Sequence, residues 1–496
     1  MIYQSVSTRF SSYKIMKTNI MNEQSPLYKI FTVLMFVVSF VYFGVFRFFV
    51  VPSGDDYFWW GPSGTYLLHH MFYGPQATYG GSSNGRYIGN TLEIFTMHNL
   101  WLAILMYAIF WTLLLWGFWE LSGPTFLSLV LSFLFVFTLQ DGFLNNILVW
   151  NAGFINYVPP VAMILVYIWM VDTNKDKKPS RIIPLCTLIL AYVIGLFTET
   201  LTIASIVLGV LVILYFNKKT KAFHITYLVG AIASAITMFM HPGYHEHNLY
   251  HTTTFNLSEI WLNYSKITHF WLITFNLALL VGLLLAIVLL AVQSDFSILK
   301  KISITLISLV FLAYYIGINI YLKQLKLNYM YGYTKFNTNL ANIEGIISLL
   351  LVTFIGYCIF IFFKTDAKMW LYFLMTGVIM GQLLFVSAPI NCRGNFETYV
   401  FMYLIAMRFV IAAAKNIKFR NLFTGLLSLT LIVVGAGYMN VMNTNYKVNS
   451  VRVQDPKFYT GKASVNRYVP YRKFIWVNDL KSQQAPAYWK EYFNIK

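Results

Sequence analysis

Asp55 and Asp56 stand side by side in Ser53-Gly54-Asp55-Asp56-Tyr57-Phe58-Trp59-Trp60, directly after an apolar run from 31 to 51. Aromatic side chains commonly sit at the headgroup level of a membrane. Paired carboxylates do not help insertion there, so they point to a general base or a ligand-binding acid at the boundary. The structural alternative is a solvated loop with two surface charges. Other residues able to do chemistry recur at the ends of later apolar runs. Arg86, Asn90 and Glu93 are spaced so that a short helix over 86–97 puts them on one face. Trp150, Asn156 and Tyr157 precede Pro159-Pro160, a pattern suited to a loop with a helix beginning at proline.

Glu199 lies between two apolar runs with no countercharge nearby in sequence. An ionisable group at membrane depth costs about 3 kcal/mol on insertion scales and marks function. The stretch 241–251 offers His241, His245, Glu246, His247 and His251. Pro242-Gly243 opposes a helix through the first pair, and no His-Glu-x-x-His order is present. His241 is therefore expected to touch phosphate or sugar, and no metal or other cofactor is expected. Arg393, beside Gly394, suits forked recognition of phosphate or carboxylate. Its structural alternatives are snorkelling and pairing with Glu397.

These residues need a scaffold, and the composition names its class. The chain has 496 residues, 58% hydrophobic and 11% charged, with mean hydropathy +0.61. A soluble domain carries about 25% charged residues, so the expected fold is all-α and polytopic in a membrane. About thirteen spans are predicted, near 28–51, 100–119, 125–139, 158–171, 182–197, 201–216, 223–240, 271–292, 302–322, 343–363, 369–386, 398–414 and 422–440. The pair 182–197 and 201–216 is short enough to be broken or only partly inserted. Three scattered cysteines indicate neither a disulfide framework nor a metal site. Residues 1–27 are read as a cytoplasmic segment without a cleavable leader.

Every second connection is short and basic: Lys175, Lys177, Lys178 and Arg181; Lys218, Lys219 and Lys221; Lys300 and Lys301; Lys364 and Lys368; Lys415, Lys418 and Arg420. These belong in the cytoplasm. The net charge of +18 is thereby explained largely by membrane topology, without nucleic acid as a partner. The alternate connections, beginning with 52–99, then lie outside and carry the residues above. The stretch 323–342 goes against the rule with Lys323, Lys326 and Lys335. The polar tail 441–496 falls outside as well. No internal repeat of the kind found in many transporters is evident.

Carboxylates, arginine, asparagine and aromatics on one face of an apolar bundle suit an enzyme whose substrate hangs on a lipid. Asp-Asp just after the first span resembles the GT-C glycosyltransferases, multi-pass enzymes that use polyprenyl-phosphate sugars. Gly54-Asp55-Asp56-Tyr57, Asn84 to Asn90, Trp150 with Gly153, Asn156 and Tyr157, Glu199, Pro242-Gly243, and Pro389 with Arg393 occur in that order. Over roughly 28–415 the set resembles a poorly characterised family of GT-C-like proteins of Gram-positive bacteria.

The resemblance implies that Asp55 or Asp56 acts as general base, on a polyprenyl-phosphate-linked sugar donor and a cell-envelope glycopolymer acceptor. It also implies the bilayer as a partner, the cell membrane as location and an active site facing outside. A donor-synthesising glycosyltransferase and a flippase are the further partners expected. Arg393, with Arg86 or a lysine of 323–342, would hold phosphate; Glu199, Asn156 and Trp150 would contact sugar or orient the loop. The alternatives are a transporter or flippase of lipid-linked sugars, and a polymerase or ligase that uses a lipid diphosphate.

Overall fold

The structure is a computed structural model that describes residues 25–246, 252–324, 337–386, 392–460, 469–476, 480 and 483–494. The chain folds as a bundle of α-helices, and an isolated β-bridge between Thr253 and Val386 is the only strand-like pairing among the described residues. Ten helices are long and apolar enough to cross a membrane, or up to twelve if each of two bent pairs counts as a span. The bent pairs are Phe126–Thr138 with Asp141–Leu148 (80°) and Leu257–Thr274 with Leu277–Gln293 (67°). Ile183–Ile194, at 12 residues, falls short of the roughly 20 that a spanning helix needs. That helix and the two bent pairs account for the difference from the expected thirteen. This is a polytopic, all-α membrane protein.

Two helices form the axis. Asn151–Asn174 and Cys392–Ala414 bury 78% and 72% of their apolar windows, against 11–39% for the other long spans. The outer helices instead show apolar side chains outward, as at Val37, Leu214, Leu306 and Val433. That is the pattern of a bundle whose solvent is hydrocarbon.

The basic turns gather at one end. Lys221 Nζ donates to the carbonyls of Lys175 and Lys177, both at 2.7 Å. Asp172 pairs with Lys175 at 3.3 Å and Lys368 at 3.0 Å, and Asp366 pairs with Arg408.

At the other end the first connection folds into short helices. Asp55–Trp60 and Pro62–His69 pack against Tyr87–His98, and Tyr87–His98 packs against the axial helix Asn151–Asn174. The expected helix over 86–97 is thus present. Its face with Asn90, Glu93 and Met97 is buried, so it is a wall of the bundle and not a helix lying on the membrane.

Two expectations fail. The stretch 150–160 is not a loop before a proline-led helix. The helix begins at Asn151 and runs through Pro159 and Pro160. These prolines remove two backbone donors, and the buried setting, in which Ile155 to Val161 all lie inside the protein, holds the helix together around them. The helix of the last span does not stop near 440 either. Arg420–Gln454 is a single helix of 35 residues. Its polar second half is tied down by Asn445, which donates from Nδ2 to Tyr471 O (2.9 Å) and accepts from Tyr471 N (3.2 Å).

Candidate active site

The site is held by the turn at Gly54. Gly54 has φ +55°, and a Cβ there would lie 1.8 Å from the Trp476 ring. Only glycine allows both this backbone and this contact. The turn opens the Asp55–Trp60 helix and sends its two carboxylates different ways.

Asp56 turns inward and is fully buried. Its Oδ2 accepts from Ser53 N at 2.9 Å and its Oδ1 from Ala152 N at 3.1 Å. Ala152 lies in the first turn of Asn151–Asn174, whose leading amides lack helical partners. Asp56 therefore caps the axial helix. Arg47 supports the same junction: its Nη2 donates to Asn151 Oδ1 at 3.0 Å, and Asn151 Nδ2 donates to Thr96 Oγ1 at 3.0 Å.

Asp55 faces a cavity of about 670 Å³, within the range of small-molecule sites. Arg86, Asn90, Glu93, Trp150, Asn156, Tyr157 and Arg393 line it with Asp55. Asp55 is open to the cavity, yet the surrounding protein excludes enough water to raise its carboxyl, while Arg393 pulls it down. The Arg393 guanidinium lies 5.2 Å from the centre of the Trp150 ring, in cation–π range. Trp150 in turn stacks on Trp476 at 4.6 Å and 12°. Trp476 is fixed by its Nε1, which donates to Asn146 Oδ1 at 3.2 Å.

Arg86 and Glu199 meet each other. Arg86 Nε donates to both Glu199 oxygens at 3.0 Å and Nη2 to Oε2 at 2.7 Å. Tyr244 Oη donates to Oε1 at 2.6 Å. Glu199 is thus neither a lone charge nor a cavity wall, and the Arg86 charge is already matched. A forked pair of this kind fixes geometry, here tying the first connection to the Glu199–Phe216 helix.

His241 does not reach the cavity. It is buried, and its Nδ1 accepts from Gly243 N at 3.0 Å, closing the turn at Pro242. Glu246 accepts from Tyr73 Oη at 2.5 Å and His245 Nε2 meets Phe239 O at 3.0 Å. His247, His251, Lys326, Lys335 and Pro389 lie outside the described residues. Glu397 takes hydrogen bonds from Thr198 (3.2 Å) and Thr200 (3.0 Å).

Asn156 donates from Nδ2 to Ala152 O at 2.9 Å and to Glu93 Oε2 at 3.3 Å. A Cβ at residue 89 would sit 2.3 Å from Asn156 Oδ1, so Gly89 lets the two helices close on this amide. Five buried polar atoms of cavity residues have no hydrogen-bond partner among the described residues: Gln76 Oε1 and Nε2, Trp150 Nε1, Asn156 Oδ1 and Glu93 Oε1. Buried polar groups are nearly always satisfied, so these five leave hydrogen-bonding capacity around one cavity for a polar ligand.

Sequence reading placed Glu93 on the right face without giving it a role, and it missed Trp476. Trp476 gave no signal, because its partner Asn146 lies 330 residues away. Comparison with known proteins finds no matching family model, curated protein or solved structure.

Proposed function

We propose that the protein is an inverting glycosyltransferase that moves a sugar from a polyprenyl-phosphate donor to a cell-envelope glycopolymer. The acceptor class is a wall polysaccharide or a teichoic acid, and the site faces the outside of the cell membrane. The observation that carries the reading is one cavity, at the end of the bundle away from the basic turns, where Asp55, Arg393 and unpartnered amide, indole and carboxyl groups converge.

In this reading Asp55 takes the proton of an acceptor hydroxyl. That oxygen forms a bond to the anomeric carbon on the face opposite the phosphate. The carbon–oxygen bond to the phosphate breaks, its electron pair stays on the lipid phosphate, and Arg393 stabilises that charge. Asn156 and Trp150 hold the sugar, and the lipid tail stays in the bilayer. Arg86, matched by Glu199, and Asp56, capping the axial helix, position the walls. The base is worth roughly 10²–10⁴ in rate.

The test compares envelope polysaccharide from wild type, a deletion strain and an Asp55→Asn strain with normal protein levels. Loss of one sugar substituent in both mutants, with accumulation of its polyprenyl-phosphate form, supports the reading. Full decoration in Asp55→Asn removes the base and favours transport of the lipid-linked sugar.

A further inference from the structure

Glu93 lines the cavity and has no task in the transfer chemistry above. It is 1% exposed. Its Oε2 accepts from Asn156 Nδ2, and the second bond of that amide, to Ala152 O, fixes which way round Asn156 sits. Its Oε1 is buried without a partner among the described residues. The charged groups that act on it are Asp55 and Asp56 from the Asp55–Trp60 helix and Arg393 from beyond the cavity. Arg86, on the residue before its own helix, is forked onto Glu199. Burial, then Asp56 and Asp55, hold the Glu93 carboxyl well above the usual carboxylate range. A neutral carboxyl owns one O–H donor. With Oε2 accepting from Asn156, that donor sits on Oε1, for which the described protein supplies no acceptor.

We infer that Glu93 works as a neutral carboxylic acid that donates a hydrogen bond from Oε1 to a hydroxyl oxygen of the bound sugar. It is a substrate-positioning and specificity group, separate from the base Asp55. A neutral donor suits this place. It orients an uncharged sugar oxygen without adding a negative charge beside the base Asp55, and it leaves the phosphate to Arg393. The identity of the ligand as a sugar rests on the glycosyltransferase reading; the protonation of Glu93 does not.

The experiment uses the full-length protein in nanodiscs, with synthetic short-chain polyprenyl-phosphate hexoses as probes. The infrared difference spectrum of wild type minus Glu93→Gln at neutral pH should show a protonated-carboxyl stretch, and a hexose probe should shift it. Glu93→Gln keeps shape, neutrality and a donor, so it should retain transfer to within about tenfold. Glu93→Leu should lose roughly 10²-fold, the order expected for one aimed donor. Wild type should also lose activity at high pH, as Glu93 ionises, on a limb that Glu93→Gln lacks. Carboxylate bands in place of the acid stretch, or an acid stretch that no hexose probe shifts, would overturn the inference. So would a folded Glu93→Gln protein as inactive as Glu93→Leu. A shifted acid stretch in a wild-type protein that transfers nothing would support Glu93 as a sugar contact and remove the transferase reading alone.

Discussion

Burial raises the Asp56 carboxyl to about 7, against the Ser53 and Ala152 amides and the Arg47 charge, which lower it. The folded protein thus binds this proton more tightly than the unfolded chain. Its contribution to stability is complete below about 3.8 and fades as pH rises through about 7. Thermal unfolding in nanodiscs should show this decline in wild type, and Asp56→Asn should flatten it while lowering the baseline by roughly 1–3 kcal/mol, because the amide NH2 then faces one of the two backbone donors and leaves it unsatisfied. An unchanged pH slope in the variant would remove Asp56 from the account. Arg393 makes a different demand. Lysine keeps the charge but lacks the planar fork that both stacks and binds two oxygens. A hydrogen bond to a charged group is worth about 1.5–3 kcal/mol, so Arg393→Lys should slow transfer by roughly ten- to a hundredfold. Equal rates would mean that the residue acts as a point charge only. Which of two adjacent aspartates faces the ligand was not legible in the sequence, because one residue of rotation in a six-residue helix decides it.

Helix by helix, the sequence announced the elements through their apolar runs and misjudged their ends. Pro159 and Pro160 looked like a start signal because proline usually sits in a first turn; here tertiary burial outweighs that local preference. The polar half of Arg420–Gln454 looked like a tail because its partners, such as Tyr471, lie in a segment with no periodic pattern. The contact between Gly54 and Trp476 belongs to the same class and is open to test. Gly54→Ala forces a side chain into φ +55° and into the indole, and should cost more than 1 kcal/mol. Trp476→Ala removes a buried aromatic, a change that costs about 3–5 kcal/mol in a packed core. The double variant should be more stable than the sum of the two losses predicts, since the clash disappears with the ring. Strict additivity, read from denaturation midpoints, would place the two residues in separate networks.

Across the whole molecule, the alternation of basic and neutral connections was the most legible feature. It sorted the turns onto two ends, and Asp172 with Lys175 and Lys368 gathers several of the basic ones at one of them. The pairing of Arg86 with Glu199 across 113 residues was beyond a single sequence, because nothing local to either residue announces the other. The two-ended arrangement predicts a labelling pattern. With Cys186 replaced by serine, the remaining Cys358 and Cys392 are buried. A membrane-impermeant maleimide applied to intact cells should then modify Thr65→Cys in the first connection and spare Lys178→Cys in a basic turn. Both positions are exposed, so reversed labelling would turn the molecule over and place the cavity in the cytoplasm.

The stacking of Trp150 on Trp476 also bears on how the protein is made. Asp55 leaves the ribosome early, Arg393 much later, and Trp476 after every membrane-spanning helix has been delivered to the bilayer. A nascent chain that has passed Arg393 but not Trp476 carries every polar cavity residue and lacks the ring that backs Trp150 and fills the hollow at Gly54. Biosynthesis thus closes the site last, and products truncated between 415 and 475 should be inserted in the membrane and inert.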